Sequence, residues 1–329
     1  KLGQLMKPEQ RPFAFLIPNT EAFVSGGNLY NRRLIDALRS NGHTVYESEQ
    51  LRDLPSGALL LVDTLLAAGL PKAKAAKAGL IVHHLQSLYP PKGWSAESWF
   101  QKRERHWLQH FSWYLATSPF TADYLQSRGV LPTAVVVEPG LAKLPGVTAK
   151  APRPISALLV ANLVRRKGVL PLLQAWERRP PPGVELRILG SRDREPRYAE
   201  ACLAKAAGLP GVRYLGVLPQ EAAFAQYAKA NLLVSAAYME TYGMALQEAA
   251  AAGLPILAFE GGNAPYHVQS GKNGELCATQ EEILSWLFRW AEQPPAFQPY
   301  LERARQLAPR RQRSWADAAA EFESIKIER

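Results

Sequence analysis

The chain has 329 residues, enough for two domains of ordinary size, and its 47% hydrophobic content is that of a globular protein, which excludes a disordered chain. Two cysteines, Cys202 and Cys277, exclude a disulfide scaffold and a cysteine zinc site and suit a reducing compartment. The net charge of +10 calls for an anionic partner, but the excess is +5 on each side of residue 148, so no basic tail marks a nucleic-acid binder.

Short apolar runs alternate with helix-like segments along the whole chain. Met6 reads as the natural start. RPFAFLIP, from Arg11, reads as a buried strand. The pair Gly26 and Gly27 follows, then NLYNRRLIDALRSNG, whose Leu34, Ile35 and Leu38 fall at helical spacing before Gly42 ends the run. HTVYES, ALLLVD, GLIVHHL, WYLATS and TAVVVEPG continue the strand series. The apolar stretch from Ala58 to Leu70 is about a third too short for a bilayer span of ~20 residues and carries Asp63, and no secretory signal is visible. From Pro90 to Leu115, Trp94, Trp99, Trp107 and Trp113 stand among Lys92, Lys102, Arg103 and Arg105. Trp99, Trp107, Phe111 and Tyr114 share a helical face, which is either a core stripe or, with its basic flank, a helix lying in a membrane interface.

The stretch from Leu141 to Pro154 is rich in Pro, Gly and Ala, lacks periodicity and reads as a linker. Alternation then restarts through ISALLVANL, VELRILG, VRYLGVL, ANLLVSAAY and PILAFEG. Strands alternating with helices imply a parallel sheet covered on both faces, and ligands on such sheets bind beyond the carboxyl ends of the strands. Two such arrays in tandem predict an α/β protein of two Rossmann-like domains whose sheets face a central cleft. The expected boundaries are 1–147 for the first domain, 148–305 for the second, and 306–329 for a closing helix that returns to the first.

The most informative segment is METYGMALQEAAAAGLPILAFEGG. Glu240 and Glu248 lie eight positions apart, Thr241 is placed to cap a helix beginning near Gly243, and Gly253 with Pro255 ends it. Helical spacing would separate the carboxylates by roughly 12 Å. That distance spans a ribose, a diphosphate and a sugar, with a helix N-terminus between them to favour phosphate. Gly243 would let the backbone approach such a ligand closely.

Glu-x7-Glu, an alanine-rich helix and Gly-Leu-Pro resemble the signature of retaining family 4 glycosyltransferases and their relatives of the GT-B fold. GGNLYNRRLIDALRSNGHTV resembles that family's glycine loop and first helix. SPFTADYL followed by EPG resembles the end of its first domain, VANLVRRKGVLPLLQA the opening of its second, GGNAPYHVQSGKNGELC its later Gly-Gly loop, and SWADAAAEFESI its closing helix. The resemblance implies a metal-independent hexosyltransferase acting with retained anomeric configuration. It assigns Glu248 to the ribose hydroxyls, Glu240 to a donor-sugar hydroxyl, and the amides of Thr241, Tyr242, Gly243 and Met244 to the sugar and diphosphate. Lys167, with Arg166 or Arg165 nearby, would neutralise the departing diphosphate. Gly26 and Gly27 would approach the phosphates from the other side. The family often carries Arg five residues before that Lys, where this chain has Asn162.

His83, then His84, are candidates to touch the reacting sugar, and Asn263 and His267 are further polar candidates. No cofactor or metal is expected beyond the donor, a UDP-sugar by its frequency in the family, and no Asp-x-Asp motif is present. The expected partners are that donor and a glycan or lipid-linked acceptor, without nucleic acid, in a cytoplasmic protein whose residues 94–114 could touch the inner face of the membrane. The open alternatives are a nucleotide-sugar epimerase or hydrolase on the same fold, and a non-catalytic basic module for nucleic acid or an anionic surface. The absence of Gly-x-Gly-x-x-Gly after the first strand disfavours a dinucleotide oxidoreductase.

Overall fold

A computed structural model describes residues 11–19, 25–142, 144 and 154–325. Met6 and most of the expected linker lie outside these residues. The chain divides into two compact units, Lys1–Gly140 with Ser314–Arg329, and Leu141–Arg313.

In the first unit, β1 (Phe13–Leu16), β2 (Val45–Ser48), β3 (Leu59–Asp63), β4 (Ala78–Val82), β5 (Trp113–Ala116) and β6 (Val135–Val136) form a sheet in the order β2-β1-β3-β4-β5-β6. Every pairing is parallel; Phe13 stands beside Val45 on one side and Leu59 on the other. The apolar face of the Gly26–Ser40 helix buries Tyr30, Leu34, Ile35 and Leu38 against Phe15, Leu61, Ile81 and Leu115 of this sheet. The Trp315–Glu323 helix adds Ala318, Ala319 and Phe322 to the same core. Ser314 starts that helix with a reciprocal capping box to Asp317.

In the second unit, β7 (Ile155–Val160), β8 (Val184–Leu189), β9 (Val212–Gly216), β10 (Leu232–Ser235), β11 (Ile256–Phe259) and β12 (Gly274–Cys277) form a parallel sheet in the order β12-β11-β10-β7-β8-β9. Alternation along β7 feeds two cores. Ile155, Ala157 and Leu159 join Trp176, Trp290 and Phe297 on one face, while Leu158 joins Leu233, Leu246 and Ile256 on the other.

Three expectations change. Leu141 and Leu144 are not free linker: both are buried in the second unit's core, and the Leu141 N–H donates to the Arg313 carbonyl at 2.6 Å. Residues 306–313 also stay with that unit, where Gln312 Nε2 donates to the Ala251 carbonyl at 2.9 Å. The tryptophan-rich stripe is split. Its helix runs from Ala96 to Trp99, passes through a π turn at Phe100–Glu104 and resumes at Arg105–Leu108. The wider turn shifts the register, so Phe100, Glu104 and Leu108 are buried while Trp99 and Trp107 are half-buried. Phe111 and Tyr114 are core, and Trp94 packs edge-on to Trp99 at 5.2 Å with Lys102 and Arg103 over the Trp94 ring. No helix among the described residues is long and apolar enough to cross a membrane.

Candidate active site

Each sheet reverses its strand order once, between β1 and β3 in the first unit and between β7 and β10 in the second. Loops leaving the carboxyl ends of those strands diverge and open a crevice for ligands. The sequence-predicted residues collect at these two points.

In the second unit, Lys167 closes a 3₁₀ turn, Arg165–Lys167, after β7. Gly168 follows in the left-handed region at φ +62°, where a Cβ would lie 2.1 Å from the Ala236 carbonyl oxygen. The Tyr238 N–H donates to the Arg166 carbonyl at 3.0 Å, so the loops after β7 and β10 are laced together. Glu240, on the second loop, forms a parallel bridge with Gly262, and its carbonyl accepts from the Asn263 N–H at 2.7 Å. Gly262, at φ +64°, has no room for a side chain because its Cβ would sit 2.1 Å from the Glu240 carbonyl oxygen.

These loops bring Lys167 Nζ to 2.5 Å from Glu240 Oε1, with side-chain exposures of 14% and 13%. Burial raises the Glu240 carboxyl, but Lys167, Arg166 and His267 together hold it below the usual carboxylate range. Burial lowers the Lys167 ammonium, against the pull of Glu240 and with help from Arg166. The pair is therefore a preorganised anion–cation couple in a poorly hydrated place, where a charge acts more strongly than in water. Arg165 is exposed and bound to Glu195 at 2.6 Å. Asn162 instead accepts from the Ser191 N–H at 3.0 Å, tying the loops after β7 and β8. Arg166 is half-buried and acts electrostatically on both members of the Lys167–Glu240 pair.

The Met244–Ala252 helix starts beside this pair. Gly243 occupies its cap position at φ +89°, with no side-chain cap, so Thr241 does not serve as the cap. Only residues from Met244 onward are helical, and a purely helical spacing between the two glutamates does not apply. The Tyr242 carbonyl just before the helix accepts from Asn263 Nδ2 at 3.0 Å and lies 2.7 Å from His267 Nε2. A carbonyl only accepts, so the His267 proton is on Nε2. Burial pushes His267 down to about 4 and keeps it neutral; its Nδ1 is buried with no hydrogen-bond partner among the described residues. Asn263 and His267 thus fix the turn that presents the uncapped helix N-terminus. One turn into the helix, the Glu248 carboxylate accepts from the Tyr227 hydroxyl at 2.5 Å, and burial pushes Glu248 up to about 7.

In the first unit, Gly26 and Gly27 are the first residues of the helix itself, and the Ser25 hydroxyl caps it by accepting from the Asn28 N–H at 3.1 Å. A Cβ on Gly27 would stand 3.1 Å from His83 Cγ, so the glycine makes room for that ring. His83 follows β4, and its Nε2 lies 2.8 Å from Asn31 Oδ1 and 3.5 Å from Asp63 Oδ2. Asn31 Nδ2 donates to Asp63 Oδ2 at 2.7 Å. Burial lowers the His83 imidazole, partly offset by Asp63. His84 is half-buried beside it.

The structure thus joins Lys167, Arg166, Glu240, Thr241 to Met244 and Glu248 in the second unit, and places Gly26, Gly27 and His83 together in the first. Asn31, Asp63 and Tyr227 were not foreseen. Asp63 was visible as a lone charge ending an apolar run, whereas Asn31 and Tyr227 carry no local signal.

Two parallel α/β units, each with one reversal of strand order, have the GT-B glycosyltransferase fold. Residues 143–308 match the family described as glycosyl transferases, group 1, and the chain belongs to that family. Among solved structures, it resembles a sucrose-phosphate synthase from Thermosynechococcus elongatus, at 18% identity and a TM-score of 0.76, over 95% of this chain and 98% of that one. It also resembles HepE from Anabaena, solved with UDP and glucose, at 16% identity and a TM-score of 0.73 over the same shares. A glycosyltransferase from Rickettsia africae aligns at 14% identity and a TM-score of 0.66, over 96% of this chain and 98% of that one. No curated protein matches the sequence at a significant level.

Proposed function

We propose that the protein transfers a hexose from a nucleotide diphosphate sugar, a UDP-sugar, to a glycan or lipid-linked acceptor, with retained anomeric configuration and without a metal. The observation that carries this reading is the Lys167–Glu240 couple beside an uncapped helix N-terminus, with a second buried carboxylate, Glu248, one turn into the helix. Glu248 accepts hydrogen bonds from the ribose hydroxyls. The first-turn amides of the helix, which have no intrahelical partner, and the amides of Thr241 to Gly243 face the diphosphate and sugar. Glu240 accepts from a sugar hydroxyl while Lys167, with Arg166, meets the diphosphate. In the first unit, the first-turn amides of Gly26 and Gly27 offer a helix start that favours phosphate, and His83 takes a substrate hydroxyl. UDP as the nucleotide is supported by the neighbours, since HepE is solved with UDP-glucose and a pneumococcal O-GlcNAc transferase with UDP and GlcNAc.

Negative charge grows on the leaving diphosphate oxygen as the glycosidic bond breaks. A cation already fixed beside that oxygen stabilises the transition state more than the bound donor. The resemblance to retaining family 4 enzymes supports a front-face course, in which the acceptor hydroxyl passes its proton to the leaving oxygen on the face where it attacks, and retention results. A cytoplasmic enzyme with the Trp94–Trp99 cluster against anionic lipid at the inner face of the membrane fits a lipid-linked acceptor.

Calorimetric titration with UDP-, GDP- and ADP-sugars, followed by NMR of the product's anomeric centre, tests the proposal. Saturable binding of a UDP-sugar and a product of unchanged anomeric configuration are expected. Free sugar formed at the same rate with and without acceptors would identify a hydrolase, and no saturable binding would identify a non-catalytic module.

A further inference from the structure

Hydrogen bonding in the first unit determines which nitrogen of His83 holds its proton. Both Asp63 oxygens accept: Oδ1 from the Leu65 N–H at 2.8 Å, where Asp63 caps a helix, and Oδ2 from Asn31 at 2.7 Å. The Asn31 atom facing a carboxylate must be its NH₂, so its carbonyl oxygen faces His83. A carbonyl oxygen accepts only, so the His83 nitrogen 2.8 Å away must carry hydrogen. The neutral ring is then the Nε2–H tautomer, and the lone pair is on Nδ1, which has no hydrogen bond among the described residues.

Surrounding groups leave this arrangement little freedom. Asp63 and Asn31 are 1% and 0% exposed, so water does not compete for their hydrogen bonds. The His83 ring rests on Gly27 and meets the edge of Tyr30 at 5.1 Å, while its side chain keeps 12% exposure. Burial keeps the ring neutral. Asp63 ends β3, His83 follows β4 and Asn31 lies on the helix after β1, so the chain of bonds spans the switch point of the sheet.

We propose that Asn31 and Asp63 are positioning residues that fix His83 in the Nε2–H form, so that its Nδ1 is a hydrogen-bond acceptor for a substrate hydroxyl. The role of Nδ1 rests on the sugar-transfer reading; the tautomer does not.

Asp63→Asn tests the relay with almost no change of shape. The new amide has one acceptor oxygen for two donors. If that oxygen keeps the Leu65 cap, its NH₂ faces the Asn31 NH₂, and Asn31 must turn over. Its NH₂ then faces His83 Nε2, which has to give up its proton to Nδ1. The substitution therefore inverts the histidine tautomer and turns the acceptor offered to substrate into a donor. Long-range ¹H–¹⁵N correlation spectra of the full chain, with ¹⁵N-labelled histidine, read this directly. The unmodified protein should show His83 protonated on Nε2, and Asp63→Asn should show it on Nδ1. With unchanged circular dichroism, kcat/KM for a UDP-sugar should fall ~10-fold, because the substrate hydroxyl must then turn to accept from Nδ1–H and its own proton loses the partner that held it. An Nδ1–H ring in the unmodified protein overturns the proposal, even if the variant does not fold. So does an inverted ring with unmodified kcat/KM. Failure of the unmodified protein to turn over any nucleotide sugar would instead overturn the transfer reading and leave the ring measurement standing.

Discussion

If Glu248 holds the ribose hydroxyls, donor binding should depend on pH. Burial places its carboxyl at about 7, and the Tyr227 hydroxyl is its hydrogen-bond donor. Ribose hydroxyls donate hydrogen bonds, so the ionised carboxylate is the form that binds them well. If only that form binds, the apparent Kd should be about tenfold weaker at pH 6 than at pH 8, because roughly nine-tenths of Glu248 is protonated at the lower pH and one-tenth at the higher. A nucleotide sugar is the right probe, since its diphosphate has no terminal group that titrates in this range. Isothermal calorimetry with UDP-glucose at constant ionic strength would show the change, with proton release that grows as the pH falls. Glu248→Gln should bind more weakly and lose the slope, while Tyr227→Phe should move the midpoint to higher pH by removing the donor that favours the carboxylate. A Kd equal at pH 6 and pH 8, or a slope that survives Glu248→Gln, would refute the assignment.

The same group acts on stability with the opposite sign. Its carboxyl lies higher in the folded chain than in the unfolded one, so the folded state holds the extra proton between these values. Stability attributable to Glu248 therefore falls as pH rises from 4.5 to about 7, by an amount on the order of 3 kcal/mol. Glu248→Gln should accordingly raise the thermal midpoint at pH 8 and not at pH 4, the signature of a charge kept for binding at the expense of the fold.

Lys167→Ala should lower kcat by about 10²–10³ in steady-state assays at saturating donor, with Lys167→Arg retaining part of the rate because charge persists while geometry changes; an unchanged kcat for the alanine variant would place the leaving-group charge elsewhere. Activity should survive EDTA, since charge neutralisation is assigned to side chains and a helix N-terminus, and complete loss restored by Mn²⁺ or Mg²⁺ would contradict that. The protein should co-float with anionic liposomes at low salt and Trp94→Ala with Trp99→Ala should release it without unfolding it; no flotation of the unmodified protein would leave the cluster as packing alone.

Most of the fold was legible because buried parallel strands are written as short apolar runs. ALLLVD and GLIVHHL announce β3 and β4. The sequence did not announce β12, Gly274–Cys277, which has only four residues, begins with glycine and carries Glu275. Such a strand is defined by the neighbouring β11, to which Ile256 and Gly274 pair, and not by its own composition. The π turn at Phe100–Glu104 was equally silent. The single-residue shift it introduces preserves helical character while changing which side chains face inward, and so moved Trp99 and Trp107 off the core stripe that periodicity alone had drawn.

At the candidate site, the division between legible and hidden residues follows the same physics. Glu240, Glu248 and Gly243 share one stretch of chain, so their spacing could be read along it. Lys167 and Glu240 are 73 residues apart, and only the lacing of the loops after β7 and β10 makes them a pair. That pairing matters because half-burial would otherwise drive each group toward its neutral form, whereas together they hold separated charges in place before a donor arrives. Asn31 and Asp63 are less visible still, since an asparagine in an amphipathic helix and an aspartate ending a strand are ordinary residues wherever they occur. Their meaning is directional: a carboxylate that only accepts orients an amide, and the amide in turn decides the proton on His83. Composition and spacing record which groups exist, but donor and acceptor direction is settled only where three elements meet, at the carboxyl ends of β3 and β4 beside the helix that follows β1.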